Sequence, residues 1–308
     1  MLSLETDDDG AYRFRSVFSM ESLLKPTKLH GDLLATSDDL YRTEVWNWKL
    51  RTSAILEHTH EDDERSQVES PWTLVLSFVF DIPTQNNRCV QVVFANRSIL
   101  VVRARGIYLF PEPVLHDIPL VYHPIAEHSF GWIDGVSVTQ RSSGNLSILL
   151  RGESDDPWAS GFHSLNLFTL ERNPEDELLP YLFPPILVSQ VSARRGSLRC
   201  RRVILGKCGT AVWIQPQDRA LIGLASFHHD HPHQAIRFVP GHETVVAAAF
   251  PGPLAPPKDE VDDSGVMQAQ SRALCSNSLN NWSSLDYNEE EGRIVLSSGF
   301  GRVMVLEL

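Results

Sequence analysis

Five times along this chain a short apolar run, a polar turn and a second apolar run follow one another. That pattern leaves little room for anything but strands paired as hairpins. The pairs are Leu33–Ser37 with Thr43–Trp48, Ile99–Val102 with Ile107–Phe110, Ser147–Leu150 with Ser164–Leu170, Val203–Gly206 with Thr210–Gln215, and Gly292–Ser298 with Arg302–Leu308. The last pair turns through Gly299-Phe-Gly301, whose glycines supply the positive φ of a tight hairpin. Further apolar runs at Leu74–Phe80, Val90–Ala95 and Thr244–Phe250 read as strands too. The best helix candidate is short, Met20–Lys25, with Pro26 stopping it. Strands are therefore expected to dominate, with helix below about a fifth of residues against an ordinary third.

The second strands of the five pairs are centred near residues 46, 108, 167, 213 and 305, and the last interval has room for one more unit built on Thr244–Phe250. Units of this size, each a small sheet of short strands, point to an all-β, β-propeller-like array of short antiparallel sheets. One such sheet cannot bury both faces alone, and its neighbours do it instead. The competing arrangement is a sandwich or barrel with irregular hairpins. Residues 1–30 form a poorly defined N-terminal segment and 31–308 the propeller-like domain, with a mobile loop expected near 251–264, where prolines and acidic residues crowd. Val303–Leu308 is expected to be a paired strand rather than a frayed tail.

Composition narrows the partners. Hydrophobic residues make up 42% of the 308, enough to bury a core, and the net charge is −12. An acidic surface repels phosphate backbones, so no nucleic-acid partner is expected. No apolar run reaches membrane-spanning length and the N-terminus lacks a signal core, so no membrane partner is expected, and a cytoplasmic or nuclear location is expected rather than secretion. Four cysteines are too few for a disulfide scaffold, and none are spaced as Cys-x-x-Cys. The acidic segments 57–64, 153–156, 258–263 and 289–291 read as solubilising loops, or as a rim that meets a basic partner.

The segment 279–308, with Asp286-Tyr, Gly292-Arg-Ile-Val-Leu and Gly301-Arg-Val-Met-Val-Leu in order, resembles a WD-repeat blade, and Val45-Trp-Asn-Trp48 resembles the Trp-Asp end of one. More broadly the chain resembles the C-terminal region of F-box proteins of mushroom-forming fungi. The likeness is carried by Val45-Trp-Asn-Trp-Lys49, Ile107-Tyr-Leu-Phe-Pro-Glu-Pro113, Arg151-Gly-Glu-Ser-Asp-Asp-Pro-Trp158, Leu205-Gly-Lys-Cys-Gly-Thr-Ala-Val-Trp213 and Ala248-Ala-Phe-Pro-Gly-Pro253. The resemblance implies substrate recognition for a ubiquitin ligase. That family's F-box, a short helical motif opening with Leu-Pro, is not found in Met1–Leu40. A contact with the ligase adaptor is thus expected only if an F-box is supplied from outside this chain.

Motifs of chemistry are sparse. Phe227-His-His-Asp-His-Pro-His-Gln234 is metal-like in composition, but one contiguous run interrupted by Pro232 reads as a loop, and Glu57-His-Thr-His-Glu61 reads the same way. Nucleophile elbows, His-Glu-x-x-His and phosphate loops are missing, so no cofactor, no metal and no catalysis are expected. The alternatives are a propeller-type hydrolase with its site in a central channel, and a plain structural scaffold.

The residues best suited to meet a partner are two tryptophans beside turns, Trp132 and Trp158, and Arg194, Arg195, Arg199 and Arg201 of a run with five arginines in nine residues. In a strand Arg199 and Arg201 would share a face, as hooks for an acidic peptide or as charges guarding a sheet edge. Trp46, Trp48 and Trp213 lie in expected strands and read as core.

Overall fold

The structure is a computed structural model and describes residues 2–6, 12–16, 19, 22–58, 87–153, 162–194, 198–216, 243–250, 266–279 and 281–308. The described residues form strands joined by turns and contain no helix. The chain divides into two compact units, the first of residues 1–103 and 107–126, the second of 104–106 and 127–308.

In the first unit β1 (Leu2–Thr6) pairs with β2 (Tyr12–Ser16). A five-stranded sheet follows, built from β3 (Lys25–His30), β4 (Leu33–Ser37), β5 (Arg42–Asn47), β6 (Thr52–Glu57) and β10 (Leu120–Tyr122), in the order β10-β6-β5-β4-β3. A second sheet is made by β7 (Cys89–Ala95), β8 (Ser98–Arg103) and β9 (Gly106–Pro111). Asn96 and Arg97, both at positive φ, form the two-residue turn that fixes the β7–β8 register. Between the two sheets Ala35, Val45 and Leu56 pack on Val92, Ile99, Val101, Tyr108 and Phe110.

Of the helix expected at Met20–Lys25, Met20 and Glu21 lie outside the described residues and residues 22–25 are not helical. Ser22–Leu24 bend, and Lys25 opens β3 with Pro26 inside the strand. A residue before proline is pushed out of the helical region, and Leu23, fully exposed, gives a helix nothing to bury against.

Along the chain β11 (Ala126–Ser129) leads into the main run of the second unit. Its first sheet is β12 (Trp132–Gln140), β13 (Leu146–Glu153), β14 (Phe162–Leu170), β15 (Ile186–Arg194) and the short β19 (Met267–Gln268), in that order. Its second, in order, is β16 (Val203–Leu205), β17 (Thr210–Pro216), β18 (Glu243–Ala249) and β20 (Ser271–Asn277). Its third is β21 (Trp282–Asn288), β22 (Arg293–Ser298) and β23 (Val303–Glu307).

The middle sheet is covered on both faces. Ala211 and Trp213 of β17, with Val246 and Ala248 opposite them in β18, pack on Leu149, Leu165, Leu167 and Val191 of the first sheet. Val212, Ile214 and Val245 face the other way, onto Trp282, Leu285, Ile294 and Leu296 of the third. This explains why Ala211-Val-Trp-Ile214 lacks the polar alternation of a half-exposed strand. Trp213 is fully buried, as expected, whereas Trp46 and Trp48 are half-buried, Trp48 in the turn after β5. All five expected hairpins form, and β23 is paired, among the described residues with β22 only.

Candidate functional site

Trp132 opens β12 just after Gly131, whose φ of 76° turns the chain into the strand. The ring is half-buried, and the Arg105 guanidinium stacks 4.7 Å from its centroid. Arg105 is held in turn by its own carbonyl, which accepts hydrogen bonds from the Phe130 N–H and the Ser129 hydroxyl, both at 3.2 Å. Phe130 tilts onto Phe168 at 4.8 Å and meets His128 edge-on at 4.7 Å. Burial pushes the His128 imidazole below its usual range.

Two residues further along, Asp134 accepts a 2.7 Å hydrogen bond from the buried Arg151 on β13. The same guanidinium donates to the Arg201 carbonyl at 2.6 Å. Gly135 makes this approach possible, because a Cβ there would lie 2.8 Å from the Arg201 oxygen. Arg151 thereby pins the arginine segment beside the start of β12. Within that segment Cys200 turns inward onto the Trp282–Leu296 core, Arg202 donates to the Leu285 carbonyl at 3.3 Å, and Arg199 and Arg201 face solvent.

Arg199 and Arg201, considered above as sharing one face of a strand, lie outside any strand. Residues 198–202 carry no ladder and bend at Arg199, and the Arg201 carbonyl is met by Arg151 rather than by a neighbouring strand. Trp132 and Arg201 are brought to one region, and Arg199 stands two residues away. Arg194 closes β15 opposite Phe162, while Trp158 and Arg195 lie outside the described residues. Sequence reasoning missed Arg105, Asp134, Gly135 and Arg151. A signal was present in Phe130-Gly-Trp-Ile-Asp-Gly135, where two glycines bracket the tryptophan and the acid.

A second polar concentration lies inside the first unit. Arg103, buried at the end of β8, donates to the Asn87 carbonyl at 3.1 Å, to the Thr43 and Ser37 hydroxyls at 3.1 and 3.2 Å, and faces Asp38 at 3.5 Å. Desolvation lowers its pKa, against the raising effect of Cys89 and Asp38. Burial pushes the Cys89 thiol up, with the Arg103 charge partly offsetting it. His58, expected in an exposed acidic loop, is instead buried and tilted on Tyr108 at 3.9 Å. Its Nδ1 donates to the Tyr41 carbonyl at 3.1 Å and its Nε2 accepts from the Asn87 amide at 3.2 Å. The Cys89 thiol is kept protonated by burial and the His58 nitrogens are engaged by Tyr41 and Asn87, so neither group is set up as a nucleophile or its base. Among the described residues no three His, Cys, Asp or Glu side chains converge as metal ligands. The His228–His233 cluster and His60 lie outside them. Nor is any described helix long and apolar enough to cross a membrane.

No protein-family profile matches the chain, and no curated protein matches it in sequence. Solved structures do align with it. A computationally designed protein, Ika8, aligns over 100% of this chain and 80% of its own, at 8% identity and a TM-score of 0.42. A thermostable family-43 glycoside hydrolase aligns over 76% and 70%, at 14% identity and a TM-score of 0.34. The tricorn protease aligns over 97% of this chain and 26% of its own, at 9% identity and a TM-score of 0.41.

Proposed function

We propose that the chain is a non-catalytic protein-interaction module with propeller-like stacking of its sheets. The observation that carries this reading is the surface of the second unit where the Trp132–Arg105 stack lies beside a pinned, solvent-facing arginine segment. A rigid half-exposed aromatic and forked guanidinium donors are the side chains that dominate protein interfaces. The middle sheet of the second unit, buried on both faces, supports the stacking. The resemblance to fungal F-box proteins adds a context: recruitment of a protein to a ubiquitin ligase, with the adaptor-docking segment supplied from outside this chain.

The test is affinity purification of the 308-residue chain and of Trp132→Ala/Arg201→Glu. The expected outcome is a specific protein partner lost in the double variant, without stoichiometric ligase adaptor and with an unchanged circular dichroism spectrum. Metal-dependent hydrolase turnover by the purified protein, abolished by His229→Ala or His231→Ala, would overturn the reading in favour of an enzyme.

A further inference from the structure

Among the described residues the last sheet has three strands, and β23 lies at its open edge. The Ser298 N–H donates to the Arg302 carbonyl and the Leu308 N–H to the Gly292 carbonyl, both at 2.8 Å. In an antiparallel ladder bonded and unbonded residues alternate, so the even residues of β23 face β22. Val303, Val305 and Glu307 therefore aim their N–H and C=O groups at the open side. Their side chains share the outer face with Val295, and Val303 and Val305 are 65% and 54% exposed.

Edge strands in soluble proteins carry guards such as lysine, proline or a bulge. The edge strand β3 of the first unit has all three: Lys25, Pro26, Lys28 and a register shift between Pro26 and Lys28. β23, Val-Met-Val-Leu-Glu, has no lysine, no proline and no register shift.

The charges around the edge select an occupant. Arg302 immediately precedes the strand, and the Arg199 guanidinium lies over the same turn, 3.6 Å from where a Cβ on Gly299 would be. Among the described residues neither guanidinium has an acid or a carbonyl to bond, and Phe300 stands beside them, 77% exposed. At the far end Glu307 is matched by Arg293 at 3.5 Å. Asp286, on the same face, is two strands away on β21, roughly 10 Å from the edge.

We infer that β23 is a docking edge: it takes an extended segment of another protein as a fourth strand, with apolar residues in alternation and carboxylates at the end that meets Arg199 and Arg302. Main-chain hydrogen bonds supply the attachment, the valines the apolar contact, and the two arginines the direction. This rests on the protein-binding reading above and names the kind of partner.

The probe is a fluorescein-labelled ten-residue peptide of three glutamates followed by alternating valine and threonine, with a counterpart carrying lysines for the glutamates. Fluorescence anisotropy should show saturable binding of the acidic peptide, weakened by salt. Val305→Pro should weaken it at least about tenfold. The Val305 N–H points outward, so proline there removes no bond to β22. Arg199→Glu/Arg302→Glu should lose about tenfold for the acidic peptide and gain for the lysine one. If Val305→Pro misfolds by circular dichroism, Val305→Lys, which places a natural guard on the edge, replaces it. Equal affinity for the guarded variant, equal affinity for the two peptides, or no binding of either would overturn the inference. So would a concentration-dependent dimer in sedimentation that Val305→Pro dissolves, since the occupant would then be a second copy. A partner captured equally by the parent and Val305→Pro, yet lost in Trp132→Ala/Arg201→Glu, would remove this edge and leave the interaction reading standing.

Discussion

Each unit buries charge, and the most deeply buried ion is a cation in the first and an anion in the second. In the first unit the buried ion is a cation, Arg103, set among the carbonyls of Asn87 and Asp38 and the hydroxyls of Ser37 and Thr43. In the second, Glu243 is fully buried and accepts from the Trp282 N–H at 2.7 Å and the Asn277 amide at 2.8 Å. Glu289 accepts from the backbone N–H groups of Cys208 and Thr210 at 2.6 and 2.9 Å. The difference follows from which backbone groups the turns leave over. Where loops end with unpaired carbonyls, a guanidinium fills the gap; where they end with unpaired N–H groups, a carboxylate does. Arg151 on the Arg201 carbonyl and Arg141 on the Lys207 carbonyl obey the same rule inside the second unit. Sheets of three to five strands have many ends for their size, and these ions close them.

The rule is broken most severely at Arg103. Arg103→Met keeps the volume but strands two carbonyls and the Asp38 carboxylate. The expected loss is about 3 kcal/mol, the low end for breaking a buried pair, because Asp38 is partly exposed and can rehydrate. Arg103→Lys should recover only part of it, since one ammonium cannot span four oxygens. Urea unfolding followed by fluorescence measures both. A methionine variant as stable as the parent would refute the carbonyl argument.

Glu243 gives a sharper comparison, because its Oε2 has no partner among the described residues while its Oε1 accepts two bonds. Glu243→Ala strands the Trp282 N–H and should cost about 2 kcal/mol. Glu243→Gln keeps an acceptor at Oε1 and buries no charge, so it should stay within about 1 kcal/mol of the parent. If the glutamine variant falls as far as the alanine one, the carboxylate's charge matters beyond its two hydrogen bonds.

Gly206 tests the smaller Glu289 latch. A Cβ at Gly206 would lie 2.3 Å from the Glu289 Oε2, so Gly206→Ala must displace the carboxylate from its two N–H donors. The expected cost is about 1–2 kcal/mol in the parent and under about 0.5 kcal/mol in a Glu289→Ala background. A double-mutant cycle by thermal melting reads the coupling, and additive costs would show that the latch contributes nothing.

These latches also mark where the sequence was opaque. Hairpins were legible because their signals are local: Gly301 at φ 76° or Gly209 at φ 104° sits inside the turn it makes. Arg103 read as one more polar residue in Arg103-Ala-Arg-Gly106, and Glu289 as one of a solubilising acidic run. Their partners are mostly backbone groups and hydroxyls, dozens of residues away along the chain, and a backbone carbonyl leaves no mark in a sequence. His58 was misplaced for the same reason, its neighbours Tyr41, Asn87 and Tyr108 being assembled only by the sheets. At the candidate site Trp132 was legible from its flanking glycines, but Arg151, which pins the arginine segment beside it, lies in an apolar strand and looked like its end.

His128 offers the smallest effect and the cleanest contrast with the latches, because burial against Phe130, with no opposing charge, is what shifts it. A base whose folded pKa lies below its unfolded value, here the usual 6.5, binds fewer protons folded than unfolded. Stability therefore rises with pH across the interval between the two values. Acidification through about pH 6.5 should lower the melting temperature, and the loss should level off below the folded pKa, where both states are protonated. The ring is only partly buried, so the slope is shallow, and His128→Gln should flatten it while leaving the melting temperature at pH 8 nearly unchanged. Melting curves at half-unit steps from pH 8 to 5 make the comparison. A variant that keeps the parent's slope would assign the acid sensitivity to other groups, and a parent that gains stability on acidification would reverse the sign and place a negative charge beside the ring.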